Sequence, residues 1–226
     1  LEIDSQIVLR AAYLCKHDLV TQMVGEFPEL QGIIGAKYLI EEGESRDLAL
    51  AVLEHYLPKG AGSELPQSDA GAVLALADKI ELLLSIFAKG ERPSGSSDPY
   101  ALRRAGNGIL QILLDKGWKL DLQYLLNISI EYWINILPEM QIQKDQNINE
   151  LSEFFRQRLI SYLEDCDFDI DLVQAVAGGK VDINRLLSDP ADASFRVDLL
   201  ANMRKSGQLS AVQAVVVRAS RLAEKI

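Results

Sequence analysis

Apolar residues along this chain recur at intervals of three and four, the pattern of helices that each bury one face. Over 5–24, Ile7, Val8, Ala11, Leu14, Cys15 and Leu19 share one face, and Gly25 closes the run. Pro28 suits a first helical turn, and Leu30, Ile33, Ile34 and Tyr38 carry a second helix to Gly43. A third helix is predicted from Arg46 to Leu57, ended by Pro58, and a strongly apolar fourth over 69–89. Asp98 followed by Pro99 reads as an N-cap and a first-turn proline, opening a fifth helix that runs to Lys116. Further helices are predicted over 121–136, 148–165, 169–177, 191–205 and 208–224. KGAGSELPQ (59–67), Arg92–Ser97 and EMQIQKDQNIN (139–149) read as loops, and EDCDFDID (164–171) as a helix junction. No segment reads as a strand. The expected fold is all-α, a helical bundle over 1–118 followed by a second helical unit over 119–226.

Composition agrees. Leu and Ala supply 57 of the 226 residues, a helix-favouring bias. At 48% hydrophobic and 25% charged, the chain can bury a core, which excludes wholesale disorder. No apolar run reaches the ~20 residues of a membrane span, and none resembles a secretory signal. Cys15 and Cys166 form neither a metal-site pair nor a disulfide framework, so a cytoplasmic protein is expected. The chain opens on Leu1 and stops at Ile226, from which a piece of a longer protein is expected.

A formal charge of −10 argues against a general nucleic-acid binder, but the charge is uneven. Residues 1–88 carry 14 acidic and 6 basic groups, and 145–171 carry 8 against 2. Residues 89–119 reverse the balance, with Lys89, Arg92, Arg103, Arg104, Lys116 and Lys119 against 3 acidic groups; 190–226 do the same. Screening confines each charge to about 8 Å at physiological salt, so two basic islands can hold a polyanion locally.

Two clusters carry candidate chemistry. His17-Asp18, with His55 and Asp78, resembles part of the ligand set of HD-superfamily metal-dependent phosphohydrolases, in which a bound metal activates water. The upstream histidine of that set has no counterpart, because the chain holds two histidines. The competing reading makes these residues hydrogen-bonding groups on an HD-like scaffold. The second cluster is KGERPSGSSDPYALRRA (89–105), a Gly/Ser loop entering a capped helix with Arg103 and Arg104. Exposed N–H groups and guanidinium forks suit phosphate, although the Lys-Ser/Thr pair of a nucleotide P-loop is missing. Adjacent helical residues project about 100° apart, so one arginine is expected to pair internally, with Asp78 or Glu26 as candidates, and the other to meet solvent or RNA. Gly32, Gly35 and Ala36 predict close helix packing. No Ser-His-Asp or Cys-His arrangement is present.

Taken together, KHDLVTQMVGEFPELQG (16–32), EHYLP (54–58), ALADK (75–79) and PSGSSDPYALRRA (93–105) resemble the beta subunit of the bacterial-type heterotetrameric glycyl-tRNA synthetase, in its HD-like central domain. AVQAVVVRASRLA (211–223) more loosely resembles the start of that family's anticodon-binding region. His17 stands where the family usually has a small residue, and Ser97 where a basic one is common. The resemblance implies an ATP- and Mg-dependent enzyme whose catalytic core lies in a separate alpha subunit. It implies that this segment has no catalytic residue or cofactor of its own and acts as a scaffold for glycine tRNA and the alpha subunit. Arg103, Arg104, Arg218 and Arg221 are the expected tRNA contacts. The phosphohydrolase using His17, Asp18, His55 and Asp78 is the alternative.

Overall fold

The computed structural model describes residues 3–95 and 97–223. Ser96, in the basic loop, and Glu224, the expected end of the last helix, lie outside the described residues. Among the described residues the ordered elements are three 3-10 turns, His17–Val20, Pro28–Leu30 and Pro138–Met140, and twelve α-helices: α1 Ser5–Leu14, α2 Gln22–Glu26, α3 Ile33–Glu41, α4 Arg46–Glu54, α5 Asp69–Ala88 and α6 Leu102–Lys116, then α7 Leu122–Ile136, α8 Lys144–Asp165, α9 Ile170–Ala177, α10 Ile183–Ser188, α11 Pro190–Lys205 and α12 Gln208–Ala223. Among the described residues there is no strand, and a single bridge joins Ser94 to Ser97. The all-α expectation holds.

Contacts divide the chain into two units. The first takes residues 1–117 and 126–148, the second 118–125 and 149–226, so α7 and α8 each contribute to both. In the first unit, α5 packs against α1, α4 and α6. Leu74, Ala75, Ile80, Leu83, Leu84 and Phe87 of α5 are buried, as are Leu102, Ile109, Leu110, Ile112 and Leu113 of α6. Around the start of α5, Ala11, Cys15, Leu39, Leu48, Ala51, Val52 and Leu74 form one cluster. Each fully buried aliphatic side chain here contributes about 2 kcal/mol, which is what holds helices this short in place. In the second unit, α9 and α10 pack against α11, over Leu172, Val173, Leu186, Leu187, Ala193 and Val197.

Several boundaries differ from expectation, among them the helix expected from Pro28 to Gly43, which begins only at Ile33 after a 3-10 turn over 28–30. The predicted 5–24 helix breaks after Leu14 into a 3-10 turn over 17–20 and the short α2. There the Cys15 thiol donates to the Ala12 carbonyl, the Thr21 hydroxyl donates to Asp18 O and accepts from Val24 N–H, and Asp18 turns inward. Side chains that bond nearby backbone give the chain an alternative to the helical ladder. Asp98 caps α6 from four residues upstream: its carboxylate accepts from Leu102 N–H and Arg103 N–H, so Pro99 and Tyr100 belong to the preceding turn. Helix α8 starts at Lys144, inside the segment expected to be loop, and α10, capped by Asp182, was not anticipated.

Candidate functional site

The first cluster is organised by a residue outside the candidate set, Lys16. Its ammonium lies 2.8 Å from Asp78 Oδ1 on α5 and 3.1 Å from His55 Nε2 just after α4, with the Tyr56 ring centroid at 4.1 Å. His55 Nδ1 sits 2.6 Å from the Val52 carbonyl, an acceptor, so Nδ1 carries the proton and Nε2 accepts from Lys16. Burial, with the Lys16 charge adding to it, pushes His55 down to about 4, leaving it neutral near pH 7. Burial also opposes the charge on Lys16, but the hydrogen bond and charge of Asp78 outweigh it and hold Lys16 above the ordinary lysine value. The neighbouring Lys79 is buried too; it donates to Leu57 O at 2.8 Å and is driven down to about 8 by burial.

His17 and Asp18 form no metal-holding group with His55 and Asp78, although the Asp18 charge is felt at His55. His17 Nδ1 bonds the Leu14 carbonyl, and Asp18 Oδ2 accepts the Gly32 N–H at 2.7 Å. Gly32 has φ +78, and a Cβ there would strike the Tyr56 ring, while Gly35 lies against the Asp18 carboxylate. Gly32 thus allows the expected close approach to the end of α4, whereas the neighbour at Gly35 is the Asp18 side chain rather than a helix. Among the described residues, no group of three or more His, Cys, Asp or Glu side chains is placed to hold a metal ion. The space where His55 and Asp78 converge already holds the tethered cation of Lys16. The residues do not fit a metal, and nothing here supports the phosphohydrolase alternative.

The second cluster is a loop closed on itself. Ser94 and Ser97 exchange backbone hydrogen bonds, and the first N–H groups of α6 are taken by Asp98. These donors, which a phosphate was expected to use, are spent inside the protein. Arg92 stacks on Phe87 at 4.1 Å and donates to the Phe87 and Glu91 carbonyls. Arg103 does pair internally, but with the Gly95 and Ser97 carbonyls rather than with Asp78 or Glu26. Arg104 is exposed, with no ion pair to a described residue, and Lys89 is exposed nearby in sequence. Lys116 is bound to Gln67 O and Asp69.

The second island is thinned in the same way. Arg196 pairs with Asp192, and Arg204 with Asp169 and Asp171. Arg218 and Arg221 stand exposed on α12, a helix without a buried residue. Arg103 and Arg104 belong to the first unit, Arg218 and Arg221 to the second. Sequence reasoning missed Lys16, Tyr56 and Glu54. Glu54 is buried and ties Gln67 N–H, Ser68 N–H and the Ser68 hydroxyl. Its one visible signal was an acidic residue inside an apolar helical stretch.

A family model described as glycyl-tRNA synthetase beta subunit matches residues 2–178. A glycine–tRNA ligase beta subunit from Acaryochloris marina is 45% identical over 230 aligned residues, which cover 100% of this chain and 32% of the relative. Proteins of the same description from Picosynechococcus and Ectopseudomonas mendocina are 43% and 40% identical, across 99% and 98% of this chain and 31% of each relative. The chain thus spans about a third of the length of the curated relatives it matches.

Proposed function

Since the chain belongs to the glycyl-tRNA synthetase beta-subunit family, we propose that it serves, as part of that enzyme, the ATP-dependent attachment of glycine to its tRNA. The observation that carries this reading is identity of 45% across the whole chain rather than over one motif. The segment's role in the proposal is that of a non-catalytic scaffold. ATP and Mg are handled by the alpha subunit, and this segment supports that subunit and contacts glycine tRNA in the cytoplasm. No helix among the described residues is long and apolar enough to cross a membrane.

The physical side of the proposal is local electrostatics. Of the four candidate contacts, Arg104, Arg218 and Arg221 present exposed guanidinium groups, while Arg103 is half-buried in the loop. A guanidinium fork matches phosphate oxygens in two-point geometry, and neutralising each phosphate releases condensed counterions. The acidic surface over 1–88 repels RNA and restricts where it can lie.

Two measurements test the reading. In the intact enzyme, Arg104→Ala, and separately Arg218→Ala with Arg221→Ala, should weaken glycine-tRNA binding, each lost phosphate contact lowering the slope of log K against log salt by about 1. Unchanged slopes in all variants would remove these residues from the interface. The 226-residue chain by itself should form no glycyl-tRNA from glycine, ATP and tRNA, and measurable charging would overturn the division of labour.

A further inference from the structure

Arg103 and Arg104 are neighbours on α6 with opposite surroundings. The Arg103 guanidinium lies 2.8 Å from the Gly95 carbonyl through Nη2 and 3.4 Å from the Ser97 carbonyl through Nη1. Its own backbone N–H donates to Asp98 Oδ2 at 2.9 Å, so residue 103 is tied to the preceding loop at both ends. That loop carries a cost of its own: Ala101, a residue with a Cβ, sits at φ 56, where L side chains are disfavoured. Ser94 and Ser97 close the loop with reciprocal backbone bonds of 3.1 and 2.8 Å, and the Asp98 carboxylate takes the Leu102 N–H as well. About 100° further round the helix, Arg104 is exposed.

We propose that Arg103 is a positioning residue: its guanidinium latches the Gly95 and Ser97 carbonyls, holding residues 91–95 and 97–101 on the start of α6 and fixing where Arg104 meets a phosphate backbone. The proposal rests on the tRNA reading above for what Arg104 meets, while the latch itself is a property of the protein alone. A planar fork bonds two carbonyls at a set spacing; a lysine ammonium keeps the charge but loses that geometry.

The test compares wild type, Arg103→Lys, Arg103→Ala and Arg104→Ala in the intact enzyme by amide hydrogen exchange and by tRNA binding across a salt series. The latch predicts that Arg103→Lys speeds exchange of 91–95 and 97–101 about tenfold or more while α5 stays protected. It also predicts several-fold weaker tRNA binding with an unchanged salt slope, whereas Arg104→Ala lowers the slope by about 1. Unchanged loop exchange in Arg103→Lys overturns the latch, and so does faster exchange throughout α5, which would mark general destabilisation. Wild-type affinity in Arg103→Lys with a slope lowered by about 1 in Arg103→Ala would make Arg103 a direct phosphate contact instead. If Arg104→Ala leaves tRNA binding and its slope unchanged, the tRNA reading of this loop fails, and the exchange result still decides the latch.

Discussion

At the scale of residues, the neutral state of His55 makes stability depend on pH. The folded form holds His55 unprotonated down to about 4, while an unfolded histidine takes up its proton near 6.5. Between those values the unfolded state binds the extra proton, so unfolding becomes easier as the pH falls. The gap corresponds to about 3 kcal/mol, lost progressively as the pH falls from about 6.5 through about 4. Denaturation midpoints from pH 7 to 4 should therefore fall more steeply for wild type than for His55→Gln. Parallel curves would show that His55 is not the linked group. Lys16→Met removes a positive neighbour while Asp78 and Asp18 remain, so the His55 titration seen by NMR should move upward. Burial, the larger cause, still keeps it under 6.5. None of this was visible from spacing, because Lys16 and His55 lie 39 positions apart and meet only when the bundle forms.

At the scale of elements, helix identity followed from apolar periodicity, and the helix ends followed from side chains that periodicity does not weigh. The long α5 was readable because its apolar residues run almost without interruption and Ser68 caps its start. The break after Leu14 was not, since it depends on Asp18 finding the Gly32 N–H fourteen residues on. The same loop-to-helix logic yields a prediction at the start of α5. A Cβ on Gly71 would overlap Glu54 Oε2 and crowd the Ser68 hydroxyl. Gly71→Ala should therefore cost about 2–3 kcal/mol despite its better helix propensity, by displacing the carboxylate that holds Gln67 and Ser68. Urea unfolding measures it, and a stabilised variant would show that Glu54 can move aside. Asp98→Ala should cost about 1–2 kcal/mol through the uncapped α6.

At the scale of the whole molecule, the two units differ in how much each element contributes. Helix α12 buries no residue, so a chain ending at Ser206 should match the 226-residue chain in unfolding free energy to within about 1 kcal/mol. A larger loss would mean that α12 supports α11 more than its exposure indicates. Apolar periodicity, capping signals and motif order alone determined that the chain is helical and which family it belongs to, because both are written in local pattern. Which charges are free was decided by tertiary structure. Six basic residues over 89–119 look equivalent in sequence, yet Arg92, Arg103 and Lys116 are bound to carbonyls or a carboxylate while Arg104 is exposed. Likewise His55 and Asp78, offered as metal ligands by resemblance to the HD set, enclose the ammonium of Lys16. A hydrogen bond or ion pair is satisfied by whichever group folding brings within about 3 Å, and for Lys16 and Lys116 the His55 and Asp69 partners lie 39 and 47 positions away.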